Sequence, residues 1–357
     1  MKSAWRGVFT LSLAIISPPA PAELLIDLNA AAGMDAQAIS GFQAAANYWQ
    51  SVLVDDVTVN LDIDFKTLGA NILGSAGSTT QSQEVDTYFA ALQSDMSSTD
   101  DTAAMAGLPT LGGLNNEYVQ FRTQVNTEGG STVVSLDSDG SLAAGGTNNR
   151  VLNLNTANAK ALGLFTGVAG TADASITFSD AFSWDFDNSD GIGSGLQDFV
   201  GVAIHEIGHA LGFRSGVDTV NYAISNSLDL ESYRVFTGLD MFRYSANDGV
   251  LDLSVGTASY FSLDGGATNL GLFSTGTDNG GDGRQASHWK DNLGLGIMDP
   301  TANGAGQLNS VSDLDLRAFD VIGWDLASAS VPEPSSFALL GLGLFGFAGD
   351  QLRRRRN

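Results

Sequence analysis

The sequence predicts an α+β fold: a mixed sheet with packed helices in the first half, one strongly apolar helix near the middle, and an irregular second half. Three observations predict it. Between residues 38 and 65 the apolar positions change from helical spacing to strict alternation. From Leu196 to Leu211 an apolar stripe runs at helical spacing. After Gly216 the apolar pieces are short and cut by Gly, Asn and Asp, in a chain whose 43 glycines among 357 residues exceed the usual share of about 7%.

Taken in order, residues 1–22 carry Lys2 and Arg6, the apolar run Val8 to Ile16, and Ala20-Pro21-Ala22. These are the three regions of a secretory signal peptide, with cleavage expected after Ala22. Phe42, Ala45, Ala46, Trp49, Val52 and Leu53 predict a helix over 38–53, and the alternation of Val57, Val59, Leu61, Ile63 and Phe65 predicts a half-buried strand after it. A second helix is expected around 84–95, then a mixture of strand and helix to about Leu164. Ala174, Ile176, Phe178, Phe182, Trp184 and Phe186 fall on one face and predict a strand over 174–186, the expected edge for pairing with an extended peptide. Ser194 and Gln197 are spaced as a capping box for the apolar helix that follows. Regular structure is expected to be sparse from Gly216 until 313–322, where Leu314, Ala318, Val321 and Ile322 share a helical face and Gly323 supplies the stop. No internal repeat marks a solenoid.

Composition narrows the function. With 16 Lys+Arg against 40 Asp+Glu the formal charge is -24, which excludes a basic nucleic-acid-binding surface. The absence of Cys excludes disulfide scaffolds, thiolate metal sites, cysteine nucleophiles and thiol-based latency. Acid scattered so evenly predicts a solvated surface. Asp185, Asp187, Ser189 and Asp190 carry the oxygens that Ca²⁺ takes, but Asp190 stands where an EF-hand needs Gly, so a solvated turn is expected, with Ca²⁺ as the alternative.

The chemistry concentrates in His205-Glu206-Ile207-Gly208-His209, inside the apolar helix. Residues four apart stand one turn above each other, so both imidazoles can reach one metal ion while Glu206 reaches toward its water. The pattern is that of an H-E-x-x-H metalloprotease. Two histidines on a solvent-facing helix would spell the same string, but this helix is apolar and holds two of only three His in the chain. The third ligand stays open on residues alone: His288 is the remaining imidazole, and Glu231 is a carboxylate 22 residues past His209. A structural metal site in a catalytically idle surface or matrix protein is the third reading, although such sites are normally closed by a fourth protein ligand, and no Cys or fourth His exists to supply it.

Gly212 extends the motif to H-E-x-x-H-x-x-G, which resembles metzincin zinc proteases. Ser215 stands where most metzincins place the third His, whereas Ser287-His288-Trp289 followed by Gly296-Ile297-Met298-Asp299-Pro300 resembles the leishmanolysin-like group over roughly residues 195–300. The resemblance implies a two-subdomain catalytic domain over 23–330, with a mixed sheet and active-site helix above (about 23–212) and an irregular subdomain below (about 213–330). It implies one catalytic Zn²⁺ on His205, His209 and His288, Glu206 as general base, Met298 as the methionine turn beneath the metal, Gly212 as the turn glycine, and protein or peptide substrates. The cysteine-bearing propeptide of leishmanolysin has no counterpart here.

At the far end Val331-Pro332-Glu333-Pro334, an uncharged stretch to Gly349 and Arg353 to Arg356 follow in order, over residues 331–357. The tail resembles the PEP-CTERM sorting signal of Gram-negative bacteria, which implies export, transient inner-membrane anchoring, and cleavage by an exosortase that leaves the protein at the cell surface or in the medium. A permanent anchor is the competing expectation, although the stretch falls short of the roughly 20 apolar residues of a comfortable span. Without both ends the chain keeps 38 acids and 10 bases, a charge of -28.

Overall fold

A computed structural model describes residues 23–112, 118–126, 132–137, 149–230 and 233–327. The expected signal peptide, the sorting tail and Glu231 lie outside the described residues. The elements are β1 (Leu25–Ala30), α1 (Ala36–Val52), β2 (Thr58–Phe65), β3 (Gly74–Ser78), β4 (Thr80–Glu84), α2 (Val85–Asp95), α3 (Thr99–Gly107), β5 (Phe121–Asn126), β6 (Thr132–Asp137), β7 (Val151–Asn155) and α4 (Thr156–Ala161). They continue with β8 (Ala174–Phe178), β9 (Trp184–Asp185), β10 (Gln197–Asp198), α5 (Phe199–Leu211), α6 (Val217–Ser225), β11 (Arg243–Ser245), β12 (Ser259–Phe261), β13 (Gly271–Leu272) and α7 (Asp313–Val321). The fold is a mixed α+β arrangement. Among the described residues no helix is long and apolar enough to cross a membrane.

The main sheet runs β1-β2-β8-β3, with β1, β2 and β8 parallel and β3 antiparallel to β8. Helices α1 and α5 pack on each other and on this sheet, α1 beside β1 and α5 beside β3 and β8. The α1 face predicted from spacing is buried, with Phe42 and Trp49 fully enclosed. Phe42 meets Phe178 of β8 and Phe199 of α5 with ring centroids 4.8 and 5.2 Å apart, both edge-on, the geometry aromatic quadrupoles prefer. The hydrophobic seam between sheet and helices therefore runs through the first turn of the helix that carries the histidines.

Four expectations need correction. The strand expected over 174–186 ends at Phe178, and Phe182 lies between β8 and β9. Since β2 and β3 flank β8 on both sides, β8 has no free edge, and among the described residues the edge strands of this sheet are β1 and β3, of which β3 is the one beside α5. The apolar helix starts at Phe199 instead of after Ser194: Asp198 caps it by accepting the Gly201 N–H at 2.8 Å, while Gln197 and Asp198 pair with Trp184 and Asp185 as a short ladder. Helix α6 follows Gly216 directly, where little regular structure is expected, because Val217, Val220 and Ala223 bury one face of an otherwise polar segment.

The fourth correction concerns the acids. Asp55, Asp173, Asp198, Asp240, Asp252, Asp315 and Asp320 are buried. Most of them hold backbone N–H groups or neighbouring side chains, which compensates for their removal from water. Asp173 accepts from Asn60 N, Thr156 Oγ1 and Lys160 Nζ at 2.8, 2.7 and 2.6 Å.

Asp55, Asp95 and Asp320 gather where the ends of α1, α2 and α7 meet, and burial followed by the charge of neighbouring aspartates pushes each up to about 7. Asp320 Oδ2 accepts the Ser98 hydroxyl at 2.6 Å, but its Oδ1 is buried without a partner. A carboxyl raised in the folded state holds its proton more tightly there, so its contribution to stability is fully present below the ordinary Asp range and is lost as pH rises toward 7. An Asp320→Asn variant is therefore expected to gain several degrees of thermal stability relative to the parent between pH 4 and pH 8. Parallel melting curves across that range would contradict the assignment.

Candidate metal centre

Helix α5 is anchored from three directions. Trp49 Nε1 donates to Ile204 O at 3.0 Å, Asn155 Nδ2 donates to His209 O and Ala210 O at 2.7 and 3.0 Å, and Trp324 Nε1 donates to Leu211 O at 2.9 Å. Asn155 and Trp324 satisfy carbonyls that the helix end leaves free, whereas Trp49 holds the helix at mid-length. Gly212 then takes a φ of 127°, open to glycine and strained for other residues. The turn brings the Phe213 carbonyl back over the helix, where it accepts from His209 Nδ1 at 2.8 Å.

His205 and His209 project from α5, and His288 arrives on the loop before Trp289. Their three Nε2 atoms form a triangle with sides of 3.0, 3.1 and 3.3 Å. Each Nδ1 faces a backbone carbonyl: Ile297 O at 2.6 Å from His205, Phe213 O at 2.8 Å from His209, and Gln285 O at 3.1 Å from His288. A carbonyl can only accept, so Nδ1 carries the proton in each neutral ring and all three Nε2 lone pairs face one another. Burial lowers all three rings' pKa values, His209 well below the ordinary range and His288 to about 3, with the neighbouring imidazoles adding to the effect at those two.

These are neutral ligands with their tautomers set by outer hydrogen bonds, the state a divalent metal requires. Zn–N bonds of about 2.0–2.1 Å in a tetrahedral site space the nitrogens about 3.3 Å apart, close to the observed triangle. The donor set therefore fits zinc. Among the described residues this is the one group of three such side chains with ligand atoms close enough to share an ion. In the 185–190 loop Asp185 accepts from Gly193 N at 2.8 Å and Asp187 from Ser189 N at 3.0 Å.

Glu206, one step round the helix, is buried and turned toward β3, where the Ala76 N–H bonds its carboxylate. A Cβ at Gly74 would stand 3.1 Å from its Oε1. Burial pushes the Glu206 carboxyl up to about 8 against that hydrogen bond. Met298 is fully buried under the helix, and a Cβ at Gly208 would lie only 2.7 Å from its Sδ, so glycine is what lets the two surfaces meet.

Two aspartates hold the parts together, and the sequence reading missed both roles. Asp315 accepts from Ile297 N at 2.8 Å, Met298 N at 3.3 Å and Trp289 Nε1 at 2.7 Å, tying α7 to the methionine segment and to the neighbour of His288. Asp218, in the first turn of α6, accepts from Ala286 N at 2.7 Å and from Ser287 N and Oγ at 3.0 and 2.5 Å, docking the His288 loop. The Ser312-x-x-Asp315 capping box was a legible signal for Asp315. Asp218 had none, since its helix was hidden.

The triad opens into a cleft of about 1080 Å³, bounded on one side by residues 71–78 and on the other by Gly296 to Gly304. A hollow of about 300 Å³ over β1, β2 and β8 contains none of these groups. The profile of the PEP-CTERM protein-sorting motif matches residues 330–356. That motif indicates export, recognition by an exosortase, and C-terminal sorting to the cell surface in Gram-negative bacteria. No curated protein and no solved structure matches the chain.

Proposed function

We infer that the chain is an exported zinc-dependent endopeptidase that hydrolyses peptide bonds, metzincin-like and closest in its spacing to the leishmanolysin group. The observation that carries this function is the convergence of three neutral Nε2 atoms within 3.0–3.3 Å beside a buried Glu206, at the floor of an open cleft. His205, His209 and His288 would hold the ion, which when bound supplies Lewis acidity toward water and a peptide carbonyl. Glu206 accepts the proton of the attacking water on a carboxylate oxygen and returns it to the leaving amine nitrogen. Among the described residues β3 has no neighbouring strand on the side away from β8, where only its Ala76 N–H is taken by Glu206, so an extended substrate can add to it through backbone hydrogen bonds. On this reading the sheet and α5 form the upper part of the catalytic domain, and the chain after Gly212 forms the floor, with Met298 supporting α5.

Purified mature protein is expected to contain about one zinc per chain and to digest casein, with activity lost to a chelator and restored by zinc. Metal-free protein that still digests casein would overturn the assignment. The sorting tail is proposed to be removed after export. Mass spectrometry of the native surface or medium protein should find a chain ending near Pro332 to Pro334, and an intact Arg353 to Arg356 end would contradict it.

A further inference from the structure

The cleft contains a cation that no acid among the described residues pairs with. Arg214 lines it together with His209, Ser215 and Arg284. Its Nη1 donates to the neutral Asn155 Oδ1 at 2.9 Å. Arg284, the other base on the wall, is held by Asp291 at 2.9 Å. The carboxylates nearest Arg214 are committed elsewhere. Asp218 takes three hydrogen bonds from Ala286 and Ser287, and Asp240 takes the Ser215 hydroxyl at 2.7 Å, the Gly216 N–H at 2.7 Å and Thr237 at 2.9 Å. Among the described residues neither forms an ion pair with Arg214.

The remaining edge of the guanidinium is free. Nε and Nη2 make no hydrogen bond within the described protein, and neither is among the buried polar atoms lacking a partner, so both are open to solvent on a residue that lines the cleft. That edge carries two parallel N–H donors, the geometry that grips a carboxylate in bidentate fashion. Arg214 is half-buried, and burial lowers its pKa while the charges of Asp218 and Asp240 oppose the fall. A partly desolvated cation with its fork open to a substrate cleft is stabilised most by an anion delivered from outside.

We propose that Arg214 is a substrate-specificity residue that binds a carboxylate of the peptide near the scissile bond. The proposal rests on the endopeptidase assignment for its substrate class, and its chemistry is shared by two sources, an acidic side chain and a free C-terminus. Acid selection by a strongly acidic protein needs such a local anchor, because the overall field repels anionic substrates.

Three pentapeptides separate the sources: acetyl-Ala-Ala-Glu-Ala-Ala-amide, the same peptide with Gln in the centre, and the Gln peptide with a free C-terminus. Calorimetric binding to zinc-loaded protein should favour one of the two carboxylate probes over the Gln amide by at least about tenfold. In Arg214→Gln that ratio should collapse toward one, and in Arg214→Lys, which keeps the charge without the fork, it should fall between. Cleavage of a proteome-derived peptide library should show the same preference, either for Asp or Glu at one position or for sites near the C-terminus. Equal binding of all three probes by the parent, or an undiminished ratio in Arg214→Gln with Arg214→Lys folded normally, overturns the proposal. A parent that binds with the expected ratio but cleaves nothing removes the endopeptidase assignment and leaves the carboxylate site standing.

Discussion

Replacing His288 by alanine is expected to strip zinc from the mature protein and to abolish proteolysis, while the chain stays folded. His288 supplies one corner of the Nε2 triangle, 3.1 Å from His209 and 3.3 Å from His205. Removal of outer-shell partners alone typically weakens metal affinity 10- to 100-fold, so loss of a direct ligand should cost more than about a hundredfold. The measurement is bound zinc per chain after dialysis, beside a far-ultraviolet spectrum. Glu231→Gln is the decisive companion. It should retain zinc and activity, and if it loses both while His288→Ala keeps them, a carboxylate is the third ligand.

Glu206→Gln is expected to separate binding from chemistry. Glutamine preserves the shape beside β3 and cannot accept a proton, so bound zinc should stay near one per chain while turnover falls by about 10²–10⁴, the range typical of a lost general base. Loss of zinc in this variant would make Glu206 a ligand. Full activity would assign the base elsewhere. A far-ultraviolet spectrum of the variant separates either result from a folding defect, since Glu206 is buried against β3.

The site was legible in unequal parts. The two imidazoles on α5 and the carboxylate between them follow from spacing, since a helix brings residues four apart to one face wherever it packs. Gly212 was equally legible, because a tight exit from a helix demands a residue tolerant of positive φ. The edge strand was not. β3 reads Gly-Ser-Ala-Gly-Ser, with no apolar alternation to mark it, and the stronger signal of Ala174, Ile176 and Phe178 belongs to a strand enclosed between neighbours. The start of α5 was misplaced for a related reason: Ser194 and Gln197 match a capping pattern, but Asp198 accepts the Gly201 N–H.

By itself the sequence determined the helix bearing His205, Glu206 and His209, the alternating strand from Thr58 to Phe65 and the closing helix, together with the PEP-CTERM tail. Each is set by short-range periodicity or by a contiguous string. Tertiary structure alone decided that His288 meets residues 79 and 83 positions away, which aspartates are buried pins and which are solvated, and that Arg214 is left without an acid among the described residues. The reason is physical: backbone geometry sets the spacing of near neighbours, whereas the partner of a distant side chain, and the cost of burying its charge, depend on what packing brings against it.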